Sequence, residues 1–281
     1  MVVCLITSLR RNTLPDLKTI SLLFGENNVA QVSLIVPNIP PESLTSKQMI
    51  SDVLEVTNYL SSRFGQEKIY LMGHSGGTFI GIQAAALAPE LFHAYIGVAQ
   101  MSDQLKSEQL AYEYMLTYYK KHNNMKMVNK LENAPVVDGT PDTYLKLRDK
   151  VMHELGIGTT HAMNSVITGI FIASLTCRDY TLKEKFNLWR GKSQSGVSSL
   201  WDEMLATNLI DKVPELKIPV YFMSGVYDYT VSYTLSMENF EQIKAPVKRF
   251  YTFEKSAHSP LFEEPGKMQQ IMREEVIHNF P

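Results

Sequence analysis

Gly73-His74-Ser75-Gly76-Gly77 sets a serine between two glycines at the spacing of a G-x-S-x-G turn. A serine hydroxyl is a weak nucleophile alone, so chemistry at Ser75 needs a general base, and a neutral imidazole in that role needs a carboxylate to orient it. Both residue types occur downstream in suitable places. Asp228 lies three residues past Gly225, at the end of the strand-like run Pro219-Val220-Tyr221-Phe222-Met223. His258 lies in Ser256-Ala257-His258-Ser259-Pro260, just after the alternating run Phe250-Tyr251-Thr252-Phe253. Together they make a candidate nucleophile, base and orienting acid for acyl transfer through a covalent intermediate. Each also has a bland reading, since Asp is common in turns and a loop histidine needs no chemistry. The chemical reading is favoured because three independent segments agree in order and placement.

Those side chains need rigid elements to aim them. Lys68-Ile69-Tyr70-Leu71-Met72 reads as a short buried strand, and Thr78 to Leu87 reads as an Ala-rich helix ended by Pro89. Ser75 then occupies a tight strand-to-helix turn, where small neighbours such as Gly73 and Gly77 are required. The Gly76 amide, at the helix N-terminus, points toward any oxyanion formed at that turn. Ala94 to Ala99 reads as the next buried parallel strand. From Ser102 to about Asn208 the pattern turns helical, with Leu110, Tyr114 and Tyr118 at helical spacing, a helix from Asp142 to Glu154 and an apolar segment from Val166 to Leu175. Strands resume at Ile218. The expected organisation is an α/β core built from residues 1–101 and 209–281, a mostly parallel sheet flanked by helices, with residues 102–208 inserted as a helical cap. Met101, Met115, Tyr118, Tyr119, Met163, Phe171, Trp189 and Trp201 are candidates for an apolar ceiling, and most of them also suit the cap's own core.

With 281 residues and 44% apolar content the chain can bury one sizeable core, which suits one domain with an insertion. A net charge of −2 argues against a nucleic-acid surface. Lys120, Lys121, Lys126 and Lys130 are interleaved with Glu108, Glu113 and Glu132 and read as a solvated helix face. His74, His93, His122, His153, His161 and His278 show no metal-ligand spacing, and there is no phosphate-type glycine loop, so neither a metal nor a cofactor is expected. Cys4 and Cys177 alone imply no disulfide framework and suit a reducing compartment. No signal peptide and no apolar run of about 18 residues is present, so the expectation is a soluble cytoplasmic protein. It would act on a small molecule or short peptide, with no nucleic-acid or membrane partner; the oligomeric state is not legible.

From Ile39-Pro40-Pro41-Glu42-Ser43-Leu44 to the C-terminus the chain resembles the proline iminopeptidase-like branch of the α/β-hydrolases. The resemblance rests on Phe64-Gly65-Gln66-Glu67-Lys68-Ile69, the Gly73–Gly77 turn, Ala94-Tyr95-Ile96-Gly97, Tyr227-Asp228-Tyr229 and Ala257-His258-Ser259-Pro260-Leu261-Phe262. It implies the α/β-hydrolase fold, a catalytic triad of Ser75, Asp228 and His258, oxyanion support from Gly76, and a cap that selects the substrate. The activity it implies is hydrolysis of an ester, or of a peptide bond next to an N-terminal residue. Esterases and amidases share this branch, so the substrate stays open.

The front of the chain departs from that family. An H-G-G-P-G loop, which supplies the second oxyanion amide, is absent, and Met1 to Thr7 resembles the family segment directly after that loop. Arg11 to Val36 matches nothing in the family as written, although Ile20 to Phe24 and Val29 to Val36 can be read as two short strands around a Gly25-Glu26-Asn27-Asn28 turn. A reading frame shifted at the Arg11 codon can restore the missing family sequence, which suggests a truncated N-terminal part with an out-of-frame segment over about residues 11–36. Loss of one oxyanion donor costs about 2.7–4 kcal/mol in the transition state. The alternative expectation is therefore a truncated, catalytically silent homologue.

Overall fold

A computed structural model of the chain describes residues 2–6, 19–22, 45–163, 165, 172, 175, 181–183, 185 and 199–277. Its sheet has the strand order β2-β1-β3-β4-β5-β6, with β1 Val2–Ile6, β2 Thr19–Leu22, β3 Ile69–His74, β4 Phe92–Val98, β5 Val220–Gly225 and β6 Lys248–Phe253. The four strands β3 to β6 are parallel. β1 runs antiparallel to β3, pairing Cys4 with Met72, and β2 runs antiparallel to β1. The second N-terminal strand read from the sequence, Val29 to Val36, lies outside the described residues, as does the apolar insertion segment Val166 to Leu175 apart from Ile172 and Leu175.

Parallel strands covered on both faces must be apolar throughout, and β5 is buried at every position. Successive side chains alternate between the faces. Leu71, Tyr95 and Phe222 pack on one side with Met49, Val53 and Leu60 of α1 (Ser46–Phe64) and Phe79, Ile80 and Ile82 of α2 (Gly76–Leu87). Tyr70, Ile96, Tyr221 and Met223 pack on the other, against Met268, Ile271 and Met272 near the C-terminus. α1 starts at Thr45, whose side chain accepts from the Gln48 amide, and stops at Gly65, which takes φ 61°. α2 has no polar stripe because it lies wedged between α1 and the sheet and is buried from Gly77 to Ala85.

Between β4 and β5 the chain forms α3 (Gln104–Lys121), α4 (Met125–Glu132), α5 (Asp142–Glu154), α6 (Ser199–Leu205) and α7 (Leu209–Lys212). This insertion has a core of its own, in which Ala111, Met115 and Tyr119 of α3 meet Val128, Leu131, Tyr144, Val151 and Met152. Its ends meet where Asp103 pairs with Asn208 and the Leu209 amide donates to the Ser102 carbonyl at 2.8 Å. One residue read as solvated is not: Glu108 is fully buried and takes a bidentate pair from Arg148, Nε and Nη2 both at 2.6 Å, with the Tyr144 hydroxyl at 2.9 Å. A carboxylate buried without these partners would carry a heavy desolvation cost, so the pair fixes α5 against α3. Lys120 does lie on a solvated face, where it pairs with Glu132 at 2.8 Å.

Candidate active site

Ser75 joins β3 to α2 with φ 57° and ψ −132°, a left-handed backbone that a non-glycine residue adopts only under constraint. Its amide donates to the Val98 carbonyl at 3.0 Å, and its carbonyl accepts from the Thr78 amide at 2.8 Å and the Thr78 hydroxyl at 2.6 Å. Thr78 Oγ1 in turn accepts from the Met101 amide at 2.9 Å, so the turn is tied to the segment that leaves β4. Gly73 is needed for close approach, since a methyl group there would stand 2.7 Å from the Gly77 carbonyl oxygen and 2.9 Å from Thr78 Cα. The Gly76 amide belongs to the first turn of α2, whose N–H groups have no acceptor within the helix.

His258 and Asp228 come to this turn from the ends of β6 and β5. His258 Nε2 lies 2.7 Å from Ser75 Oγ, and Nδ1 lies 2.9 Å from Asp228 Oδ2. The other Asp228 oxygen accepts from the Thr230 and Val231 amides at 2.9 and 3.0 Å, which fixes the carboxylate plane. A carboxylate only accepts, so Nδ1 of the neutral ring carries the proton and bare Nε2 faces the serine hydroxyl. Asp228 is 1% exposed and His258 7%, so little water competes for these bonds. The two loops are stitched together by Val226 N–H donating to the Phe253 carbonyl at 3.1 Å and Tyr227 N–H to the Ser256 carbonyl at 3.2 Å. Gly225 permits this, because a Cβ there would overlap the Ser256 and Ala257 carbonyl oxygens.

His74 carries a positional role that its spacing in the sequence does not announce. Its Nε2–H donates to the His258 carbonyl at 2.8 Å, and the two rings lie 5.1 Å apart, so it pins the backbone of the residue that faces Ser75. Burial, and then the neighbouring His258, push its pKa down to about 3. The available signal was only that a side chain next to Ser75, inside so tight a turn, has little room to point at solvent.

The His74 environment also makes stability depend on pH. In the unfolded chain His74 takes up its proton near the ordinary value of about 6.5, whereas folded it does so only near about 3. The unfolded state therefore binds more protons in this window, and the contribution, complete above the upper value, is lost as pH falls toward the lower one. Urea unfolding at pH 7, 6 and 5 is expected to give a stability slope steeper in the native chain than in His74→Gln by up to one proton, about 1.4 kcal/mol per pH unit. Equal slopes would mean that His74 is not held neutral.

A cavity of about 310 Å³ opens over Ser75 and Gly76. Met101, Leu145, Trp201, Met204 and Val231 give it apolar walls, and Gln104, Arg148, Asp149 and Thr230 add polar groups. Of the ceiling candidates, Met101 and Trp201 line the cavity, while Met115 and Tyr119 belong to the insertion's own core. Phe171 and Trp189 lie outside the described residues. A volume near 300 Å³ is at the small end of ligand sites and suits a compact acyl group. Among the described residues no three His, Cys, Asp or Glu side chains converge as a metal site, and no helix is long and apolar enough to cross a membrane.

Comparison with known proteins identifies the fold family. A family model described as alpha/beta hydrolase fold matches residues 39–265. The chain is similar to the "Probable aminopeptidase YbaC" of Bacillus subtilis (strain 168), 29% identical over 243 residues that span 86% of this chain and 75% of that protein. Its structure is similar to proline iminopeptidase of Mycobacterium smegmatis, with TM-score 0.53 and 14% identity over 84% of this chain and 73% of that one. It is also similar to the esterase EaEST of Exiguobacterium antarcticum, with TM-score 0.50 and 15% identity over 83% and 74% of the two chains. At such identities the structural likenesses speak for the fold.

Proposed function

The chain belongs to the α/β-hydrolase fold family, and from that premise we propose that it is a serine hydrolase of the proline iminopeptidase-like branch, acting on small esters or on amides of N-terminal aminoacyl groups. The observation that carries the reading is the hydrogen-bonded series Ser75–His258–Asp228, whose serine opens onto a cavity of mixed polar and apolar lining. In the proposed reaction Ser75 Oγ attacks the substrate carbonyl while His258 Nε2 takes its proton, and Asp228 stabilises the imidazolium that results. The Gly76 amide donates to the developing oxyanion. His258 then gives the proton to the leaving alcohol or amine, leaving an acyl group on Ser75, and a water activated by the same nitrogen releases the acid.

The insertion between β4 and β5, residues 102–208, takes the part of the cap in this reading. Leu145 and Trp201 come from it and stand over the nucleophile, so the size of the accepted acyl group depends on them. The aminopeptidase-named relative supports the aminoacyl class, and esters are included because the same acyl-transfer chemistry opens them. The presence of only two cysteines, Cys4 and Cys177, favours the reducing cytoplasm.

Steady-state assays with p-nitrophenyl butyrate and with the p-nitroanilides of alanine, leucine and proline test this reading. Turnover of the ester or of an anilide is expected. Ester cleavage without anilide cleavage would assign the esterase type. Cleavage of neither by a folded protein would overturn the proposal and leave a catalytically silent homologue.

A further inference from the structure

The last helix turn of α5 leads into a short segment that touches both loops of the candidate triad. The Gly158 carbonyl accepts from the His258 amide at 3.3 Å, and the Ile157 carbonyl accepts from the Tyr229 amide, next to Asp228, also at 3.3 Å. Three residues on, the His161 ring stacks on Tyr227 with centroids 3.7 Å apart and planes inclined by 11°. The segment is drawn tight on itself, with His161 Nδ1 donating to the Gly156 carbonyl at 2.8 Å and Gly156 at φ 67°. Tyr227 and Tyr229 flank the acid, so one segment grips the acid loop on both sides and the base at its own backbone.

One side chain closes the arrangement. Glu263 Oε1 accepts from the His161 amide at 2.6 Å, and Glu263 Oε2 accepts from the Ala257 amide, the residue before His258, at 2.8 Å. The neighbouring Glu264 holds Lys255 and Ser256 from the same side but does not reach the segment. The upstream end is equally defined, because α5 carries Leu145, Arg148 and Asp149 into the cavity wall. The helix that lines the cavity thus continues into the segment that holds the acid and the base.

We propose that residues 156–161 form a positioning strap for the catalytic acid and base, with Glu263 as the positioning residue that fastens it to the base loop and the Tyr227 ring as the platform on which it rests. This rests on the serine-hydrolase reading. The strap adds no group to the reaction; it keeps His258 Nε2 within reach of Ser75 Oγ while the cap is occupied. Displacement of a reacting group by about 1 Å costs on the order of a hundredfold in rate, so a loosened strap lowers kcat rather than substrate affinity.

The test uses the full chain with Glu263→Gln, Tyr227→Ala, Tyr227→Phe and the double variant Glu263→Gln/Tyr227→Ala. Glutamine keeps the volume but turns one acceptor into a donor facing an N–H; phenylalanine keeps the ring that His161 stacks on. Glu263→Gln and Tyr227→Ala are each expected to lower kcat about tenfold to a hundredfold with KM nearly unchanged. Tyr227→Phe should stay near the native rate, and the double variant should lose less than the product of the single losses, because both act through one strap. A native kcat in Glu263→Gln, a change in KM alone, or equal losses in Tyr227→Phe and Tyr227→Ala would overturn the strap. If thermal melts show Glu263→Gln unfolded, the Tyr227 pair decides by itself. A native chain that hydrolyses nothing and is not labelled at Ser75 removes the serine reading and the strap with it, whereas an active chain indifferent to these substitutions removes the strap alone.

Discussion

Ser75→Ala is expected to lower kcat by about a millionfold while leaving the fold intact, the size of effect seen when a nucleophile that works as one unit with its base is removed. The hydroxyl bonds to His258 Nε2 at 2.7 Å, and that nitrogen stays beside the cavity when the hydroxyl is lost. The backbone bonds that hold the turn, from Val98 and Thr78, do not involve the hydroxyl. Thermal melting should therefore be nearly unchanged, and hydrolysis of p-nitrophenyl butyrate should fall to the level of the oxyanion donor and binding alone. Retained turnover in a protein of native stability would assign the chemistry to another residue.

Asp228→Asn should cost about ten-thousandfold in kcat, with little change in KM. The His258 tautomer decides this. Asp228 Oδ1 accepts from the Thr230 and Val231 amides, so an asparagine would keep its oxygen there and turn its NH2 toward His258. Nδ1 would then have to accept, which moves the ring proton to Nε2, where it meets Ser75 Oγ as a donor. The base is present but already occupied. Kinetics of the purified variant against the native chain give the answer, and a loss of less than about tenfold would show that Asp228 does not set the tautomer.

Much of the architecture was legible in the sequence because parallel strands buried on both faces leave continuous apolar runs between turn residues. The runs around Ile69, Ile96 and Phe222 are of that kind, and each is a strand. β6 begins at Lys248, earlier than its alternating run suggests, because it lies at the edge of the sheet and its first residues are polar and partly exposed. The helix from Asp142 to Glu154 was legible with both of its ends. Antiparallel pairing of Val2–Ile6 with β3 left no mark in residue type, since strand direction is not written in alternation.

The missed features are the ones that depend on distant partners. Glu108 reads locally as one charge among many, and only Arg148, forty positions on, makes it a buried ion pair. His74 and Gly225 likewise acquire their roles from the His258 backbone and from the Ser256 and Ala257 carbonyls. Glu263 follows Leu261-Phe262 and precedes Glu264-Pro265, and nothing there points to His161. Of the segment read as out of frame, about residues 11–36, the described residues are Thr19–Leu22, a strand.

The most direct test of the serine mechanism is labelling of the folded chain with a fluorophosphonate probe, followed by mass spectrometry of the labelled peptide. Such probes phosphonylate a serine only when its hydroxyl is activated by a neighbouring base, so labelling reads the Ser75–His258 contact itself and needs no knowledge of the natural substrate. A single phosphonylated residue is expected, Ser75, with the label abolished in Ser75→Ala and strongly slowed in Asp228→Asn. Absence of labelling in a folded chain, or a label on a different serine, would contradict the mechanism.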